Sequence, residues 1–235
     1  MRGWGDTRRQ GRCRTAGRAL TLVEAAVETL DSALAARRAG ADRIELCDNL
    51  REGGTTAGAG LIAAVAERSQ LPVFVLIRPR AGDFVYSDDE FDKMLRDIES
   101  ARTMGIAGIV TGALTSDSRV DVERTRILVE AASGLPVTFH RAIDATPNLP
   151  AALESVIQLG ASRVLTSGGG ATALEGVDVI AALVKQARGR ITVIAGGGIR
   201  EHNVRDVIAR SGVSEVHSRL VDEAQMRGLV GVVRT

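Results

Sequence analysis

Short apolar runs that end in polar or glycine residues recur eight times along the chain, and the stretches between them have apolar residues every three or four positions. The runs lie at 22–28, 43–49, 73–80, 108–114, 137–144, 163–170, 191–200 and 215–219. Such runs are typical of buried parallel strands, and the stretches between them are typical of amphipathic helices. Eight strand–helix units predict an α/β fold, a single (β/α)8 TIM barrel, because open doubly wound sheets usually have five or six strands.

The polar ends of these strands are expected to meet at one rim of the barrel, where this fold binds its ligands. Side chains alternate along a strand, so Glu45 and Cys47 point inward if Ile44 and Leu46 face the helices. The same argument, together with the strand ends, predicts a polar ring of Glu24, Glu45, Arg78, Thr111, His140, Thr166 and His217. Buried charges are costly unless they are matched, so the ring either forms a self-paired plug or binds a ligand.

Two glycine-rich segments suggest an anion site. Residues 167–170 (SGGG) and 196–198 (GGG) each follow a strand and precede a helix, where backbone N–H groups can hold a phosphate or carboxylate. Barrel phosphate sites commonly use the loops after the seventh and eighth strands, which carry Gly197, Gly198 and Ser218. Tight turns also select glycine, so anion binding and plain turn geometry both remain open. The ligand-binding candidates here are Ser167, Gly168, Gly197, Gly198 and Ser218.

Acid–base chemistry is a second possibility at the rim. Glu45 and His140 could exchange a proton with a substrate whose anionic group is held by Arg78, with Glu24 in the same candidate catalytic set. Further candidate ligand-binding residues on the strand-end loops are Arg80, Asp83, Arg141 and Asp144, beside Thr111, Thr166 and His217 of the ring.

The loop after the third strand also contains a helix-start signal. Ser87 followed by Glu90 predicts a capping box, in which each side chain bonds the backbone N–H of the other residue. The segment from residue 87 onward is therefore interpreted as the start of a helix.

Composition excludes several classes of protein. At 235 residues and 45% hydrophobic content, the chain can bury one large core, and no apolar run approaches the roughly 20 residues of a membrane span. We therefore expect a protein without membrane contact. The H-E-x-x-H, C-x-x-C and G-x-S-x-G motifs are absent, and Lys93 and Lys185 fall in helical stretches, which excludes Schiff-base chemistry at the rim.

Charge is concentrated at the N-terminus. The net charge is +1, but the first 18 residues contain six Arg and one Asp, which leaves about −4 on the remainder. This pattern predicts a disordered basic tail over 1–18, or a translation start placed too far upstream, with a nucleic-acid or partner-binding arm as the alternative. It predicts a barrel domain over 19–235 and argues against a nucleic-acid-binding face on the barrel. Cys13 and Cys47 form no disulfide framework, so a reducing, cytoplasmic location is expected.

Several stretches together resemble one known family. They are GADRIELC (40–47), EGGTT (52–56), IRPRAGDFVYSDDEF (77–91), GIVTGAL (108–114), VTFHRAID (137–144), RVLTSGG (163–169) and EVHS (215–218). In this order they resemble the CutC family of copper homeostasis proteins, from about Leu22 to Val233. The resemblance implies a cytoplasmic homo-oligomer (a dimer or larger), a link to copper tolerance, and copper binding through cysteines. It implies no established enzymatic activity.

The chain departs from the family pattern in two places. Ala26 stands where family members usually carry a first-strand cysteine, which leaves Cys47 as the possible copper ligand at the rim. Cu(I) prefers two or three soft ligands, so Cys47 with a nearby imidazole would be a poor site. The segment after Ser218 is also shorter than the family's usual loop, which predicts a more open pocket.

Three functional hypotheses follow. The resemblance predicts a cytoplasmic copper binding or tolerance factor. The rim residues predict instead an enzyme that acts on a small phosphorylated or carboxylated compound by acid–base or metal-assisted chemistry. The third hypothesis is a non-catalytic oligomeric module. The expected partners are accordingly a small anionic ligand or a copper ion, and further copies of the chain.

Overall fold

Eight parallel strands form a closed barrel in the computed structural model, which describes residues 21–219 and 222–235. The strands are β1 (Leu22–Val27), β2 (Arg43–Leu46), β3 (Val73–Leu76), β4 (Gly108–Thr111), β5 (Val137–Phe139), β6 (Arg163–Thr166), β7 (Thr192–Gly196) and β8 (Glu215–Arg219). They follow one another in sequence order around the barrel, and β8 pairs with β1. The predicted single (β/α)8 barrel is confirmed. The predicted basic tail at 1–18 lies outside the described residues.

A helix follows each strand and covers the outside of the barrel. The helices are α1 (Leu30–Ala39), α2 (Ala59–Arg68), α3 (Asp88–Arg102), α4 (Val122–Ala131), α5 (Leu149–Gln158), α6 (Val177–Ala187), α7 (Val204–Ser211) and α8 (Glu223–Arg234). Short 3-10 segments at Leu50–Glu52 and Arg141–Ala145 lie in the loops after β2 and β5. Within the described ranges, none of the helices is both long enough and apolar enough to cross a bilayer.

The start of α3 shows how local sequence sets the loop above the barrel. Ser87 accepts a hydrogen bond from the Glu90 backbone N–H at 3.3 Å, and the Ser87 N–H donates to the Glu90 carboxylate at 2.9 Å. The predicted capping box is therefore confirmed. It ends the loop that carries Arg78, Arg80 and Asp83 at a defined point.

Apolar side chains fill two layers. The larger cluster lies between the strands and the helices, and a smaller one inside the barrel consists of Cys47, Phe74, Leu76 and Val110. The Phe74 ring lies directly against Gly108, where an added Cβ would come within 2.3 Å of a ring carbon. Glycine at this position therefore makes room for an aromatic ring inside the barrel.

The strand register brings charged residues side by side across the closure of the barrel. Glu24 on β1 is level with Arg43 on β2 and with His217 on β8. Two positions further along β1, Ala26 is level with Glu45 and with Arg219. The small Ala26 side chain leaves space above the charged row, and this space is part of the rim cavity.

Candidate functional site

A cavity of about 280 Å³ opens at the carboxyl ends of the strands. Its walls are formed by Ala26, Glu45, Leu50, Gly53, Leu76, Arg78, Phe84, His140, Arg141, Leu165, Gly197, Gly198, Arg200, His217 and Arg219. A small metabolite-sized compound fits this space.

Two glutamates and a histidine form the acidic side of the site. The Nδ1 atom of His217 lies 2.8 Å from Glu24 Oε1 and 3.8 Å from Glu45 Oε2. Glu24 is completely buried and lies beneath the cavity, whereas Glu45 and His217 line it. Each of the three offers one ligand atom, and all three atoms lie within 4.8 Å of one another. The group therefore has the donors and the spacing of a metal site.

The two glutamates differ in their protonation behaviour. Burial raises the pKa of Glu45 to about 7, because the attraction of His217 does not offset the lost solvation and the repulsion of Glu24. Burial would also raise the pKa of Glu24, but the hydrogen bond from His217 and the charge of Arg43 outweigh it and lower the pKa to about 2. Glu24 is thus ionised at neutral pH, and Glu45 is the carboxyl group that can gain or lose a proton there.

Arg78 supplies the cationic side of the cavity. It is 4% exposed, and its guanidinium donates to the carbonyl oxygens of Gly54 at 2.8 Å and Gly82 at 2.7 Å. A weaker contact at 3.4 Å goes to the Glu52 carbonyl, and its buried Nε has no hydrogen-bond partner. Among the described residues, all of its acceptors are neutral carbonyls, so its charge is available to an anion in the cavity.

His140 presents a fixed hydrogen-bond donor to the same space. Its Nδ1 accepts a hydrogen bond from the Ala142 backbone N–H at 3.3 Å, which leaves the ring proton on Nε2. Nε2 is buried without a partner in the described chain, and the ring packs on Phe84 with centroids 4.9 Å apart. Burial and the charge of Arg78 lower the pKa of His140 to about 3. The imidazole is therefore neutral, and it acts as a donor rather than as a base.

The Asp144 carboxylate holds the guanidinium of Arg141 in position. Its Nε donates to Asp144 at 2.9 Å, and its Nη2 donates to Ser167 Oγ at 2.9 Å. Asp144 also accepts hydrogen bonds from the Ser167 and Gly169 backbone N–H groups and from two hydroxyls, so its capacity is filled. Asp144 thus links the loops after β5 and β6 and orients Arg141, which lines the cavity beside Gly197.

The structure brings only part of the predicted polar ring to the cavity. Glu45, Arg78, His140 and His217 line it, together with Arg141, Gly197 and Gly198. Thr111 does not, because its side chain turns away from the interior and donates to the Ile77 carbonyl. Thr166 does not line the cavity either, because its hydroxyl donates to Asp144. The neighbouring Leu165 is the inward residue of β6. For these two threonines, the last polar residue of a run was a poor guide to the inward face.

Other candidates also lie outside the cavity walls. Arg80 pairs with Glu90 and Asp83 on the outer loop. A Cβ atom added at Gly168 would lie 2.4 Å from the Gly176 carbonyl oxygen, which indicates a tightly packed turn. Ser218 donates to the Ile199 carbonyl.

Cys47 is buried inside the barrel rather than at the rim. Its thiol contacts the Val27 carbonyl at 3.6 Å, and burial, with the nearby Glu45 carboxylate, raises its pKa. It is not part of the Glu24, Glu45 and His217 group.

Comparison with known proteins identifies the family. The CutC family model matches residues 21–221. A human protein named "Copper homeostasis protein cutC homolog" is 49% identical over 196 residues, which cover 83% of this chain and 72% of that protein. A CutC protein from Xanthomonas axonopodis pv. citri is 48% identical over the same length and is covered to 82%. This chain belongs to the CutC family.

Solved structures agree with this assignment. A CutC crystal structure from Streptococcus agalactiae superposes with a TM-score of 0.79 at 35% identity, covering 84% of this chain and 98% of that one. More distant barrels, such as a thiamine phosphate pyrophosphorylase from Pyrococcus furiosus (TM-score 0.62, 15% identity), share the fold alone. Eight of the fifteen cavity residues of this CutC chain fall in the stretches by which its sequence resembles the family; among them, GADRIELC carries Glu45, IRPRAGDF carries Arg78 and VTFHRAID carries His140.

Sequence reasoning missed the arginine beneath the site of this CutC protein. Arg43, at 2% exposure, forms ion pairs with both Glu24 and Glu215, and its guanidinium lies 5.0 Å from the centre of the Phe74 ring. The available signal was strand parity, because Arg43 is two residues before Glu45 and shares its inward face. Arg200 and Arg219 on the cavity wall were also missed. Arg200 lies on the loop after β7, whose direction the sequence does not specify, whereas Arg219 ends β8 two residues after His217 and shares its inward face.

Proposed function

We propose that this protein acts in copper homeostasis, the role named for its human and mouse relatives. The observation that supports this is the 49% identity with the human protein over 196 residues, most of the described barrel. We also propose, from the family resemblance, a cytoplasmic location and assembly into a homo-oligomer. The rim cavity is the part of the molecule through which we expect the role to be carried out.

A growth assay tests the homeostatic role. In a bacterium made copper-sensitive by deletion of its own CutC-family gene, we expect expression of this chain to restore growth at elevated copper. Glu45→Gln and Arg78→Met should fail to restore growth, because the first removes a carboxylate from the acidic side of the cavity and the second removes the guanidinium from its cationic side. The proposal is wrong if the wild-type chain, expressed at a verified level, leaves the strain as sensitive as the empty vector does.

Direct Cu(I) binding through Cys47 is a separate and finer proposal, and its donor chemistry does not fit. Cu(I) usually takes two or three soft sulfur ligands. Cys47 is completely buried, its thiol is held protonated by burial, and the described residues contain no second free cysteine. A lone buried cysteine of this kind behaves as a small apolar side chain.

An anaerobic competition titration against a chromogenic Cu(I) chelator measures this directly. We expect no stoichiometric binding tighter than about micromolar, and the same curve for Cys47→Ala, because a single buried thiol is a poor Cu(I) site. Tight binding that disappears in Cys47→Ala would instead make Cys47 the ligand and place copper inside the barrel.

Arg78 supports a second candidate function, which is recognition of a small anionic compound by the rim cavity. Its buried guanidinium is bonded only to carbonyls, and it faces the same cavity as Arg141 and the Gly197–Gly198 turn. Buried arginines without a carboxylate partner are suited to carboxylate or phosphate ligands. This candidate predicts that inorganic phosphate stabilises the folded chain and that the effect requires Arg78.

Binding would place the anion next to a proton donor and a proton acceptor. Neutral His140 can donate through Nε2 to a carbonyl or hydroxyl oxygen of the compound. Glu45, on the opposite side of the cavity, can accept or supply a proton near neutral pH. The residues therefore support acid–base chemistry on a small phosphorylated or carboxylated substrate.

A further inference from the structure

Glu45 is a buried carboxylate whose Oε2 atom accepts no hydrogen bond within the described residues. It is 6% exposed, and its Oε2 atom points toward His217 at 3.8 Å. Ionised carboxylates are rarely buried unless a cation or several donors compensate them. In the described chain the nearest cationic group is His217, whose Nδ1 is 3.8 Å from Oε2 and already bonded to Glu24, while Arg43 is engaged by Glu24 and Glu215. The position next to Oε2 therefore suits a cation from solution.

The neighbouring side chains have the geometry of metal ligands. Divalent first-row ions bind imidazole nitrogen and carboxylate oxygen at about 2.0–2.2 Å, so neighbouring ligand atoms stand roughly 2.8 Å apart in the tetragonal geometry of Cu²⁺ and roughly 3.4 Å apart in a tetrahedral site. Here His217 Nδ1 lies 2.8 Å from Glu24 Oε1, within this range, and 3.8 Å from Glu45 Oε2, slightly above it. Small side-chain shifts would suffice to enclose an ion.

The surroundings hold the first of these ligands in place. Arg43 bonds the Oε2 atom of Glu24 and leaves Oε1 directed at His217. A ligating carboxylate is commonly oriented in this way by a second group on its other oxygen. All three ligands stand on adjacent strands, β8, β1 and β2, so their backbones are rigid.

We propose that Glu24, Glu45 and His217 bind one divalent first-row transition-metal ion at the floor of the rim cavity, with Cu²⁺ the most tightly bound. One imidazole and two carboxylates are borderline-to-hard donors that suit divalent ions rather than Cu(I), and Cu²⁺ has the highest affinity of the series for such ligands. On binding, the ion replaces the proton that His217 Nδ1 shares with Glu24, and that proton is released to solvent. The inference rests on the proposed rim cavity, whose floor these residues form, but it requires no bound anion.

Titration of the metal-free full-length chain with Cu²⁺ tests the site. Isothermal calorimetry in the presence of glycine as a weak competitor should give one Cu²⁺ per chain. Electron paramagnetic resonance at substoichiometric Cu²⁺ should show hyperfine coupling to a single imidazole nitrogen. Glu45→Gln, which keeps the side-chain shape, and His217→Ala should each weaken binding by at least about a hundredfold, since even changing a residue that only orients a metal ligand costs about 10–100-fold.

Two control variants separate this site from other copper ligands. His202→Ala removes an exposed imidazole outside the cavity, and Cys47→Ala removes the buried thiol. Both should bind Cu²⁺ as the wild type does. The proposal is overturned if no stoichiometric Cu²⁺ binds, if Glu45→Gln with wild-type circular dichroism binds it unchanged, or if binding is lost in either control.

The cation site and the anion pocket can fail independently. Phosphate stabilisation is measured on the EDTA-treated chain and depends on Arg78, whereas Cu²⁺ titration is carried out without phosphate and depends on Glu45. If phosphate stabilises the chain but Cu²⁺ does not bind, the cation site is wrong and the anion pocket stands. The converse result supports the cation site alone.

Discussion

Replacing Arg43 by methionine is expected to lower the free energy of unfolding by about 3–5 kcal/mol, the usual cost of removing one partner from a buried ion pair. Methionine keeps most of the volume that packs against Phe74 but leaves Glu24 and Glu215 without their shared cation. Urea unfolding monitored by circular dichroism measures the change.

Arg38→Met is the matched control, because Arg38 pairs with Glu223 at 2.8 Å on the surface, where its side chain is 57% exposed. Exposed pairs of this kind contribute about 0–1 kcal/mol. If Arg43→Met loses no more stability than Arg38→Met, the buried network is not required for folding.

The same network gives the protein a defined response to acid. The pKa of Glu24 is lowered to about 2 in the folded state, below its ordinary value of 4.5. The contribution of ionised Glu24 to the free energy of unfolding is therefore complete above pH 4.5 and is lost as the pH falls toward 2. In Arg43→Met this acid dependence should shrink, because the cation that helps to lower the pKa is gone.

Inorganic phosphate is expected to raise the melting temperature of the metal-free chain by roughly 5–10 °C at a concentration about 100 times its dissociation constant. Such an excess stabilises a one-site protein by about 2.7 kcal/mol, and each kcal/mol is equivalent to about 2–4 °C at this chain length. Arg78→Met should lose the increase, because the remaining groups include no other buried guanidinium bonded only to carbonyls within the described chain.

Arg80→Met is the control for phosphate binding, since Arg80 lies on the same loop but pairs with Glu90 and Asp83 outside the cavity. Each variant is compared with its own phosphate-free melting temperature at matched ionic strength in KCl, so an altered basal stability does not affect the result. Equal stabilisation of Arg78→Met and the wild type would exclude Arg78 as the residue that binds phosphate.

The barrel was predictable because its strands and helices leave periodic patterns in the sequence. Inward parity identified Glu45, Arg78 and His140, and the polar end of the eighth run identified His217; the structure brings all four to one cavity. The alternation of side chains along one strand does not specify the stagger between neighbouring strands. That stagger sets Glu24 level with Arg43 and below the cavity, where it is a partner of buried charges rather than a wall residue.

The direction of loop and strand-end side chains was the second feature of the site that the sequence did not predict. Thr111 and Thr166 end their strands, but backbone carbonyls and Asp144 satisfy their hydroxyls away from the cavity. Arg200, by contrast, reaches the cavity from a loop position beyond strand parity, whereas Arg219 lies on β8 at the same parity as His217. These outcomes depend on which acceptor lies nearest in space, and a single sequence does not record that.

The shared ion pair of Arg43 also bears on the order in which the chain folds. Its partner Glu215 lies 172 residues away on the last strand, which closes the barrel against β1. During synthesis, Arg43 emerges long before Glu215, so a nascent half-barrel would contain interior charges that await their final partner. Contacts between such distant segments form slowly. We therefore expect closure of the barrel to be a late, cooperative step, completed only when β8 has left the ribosome.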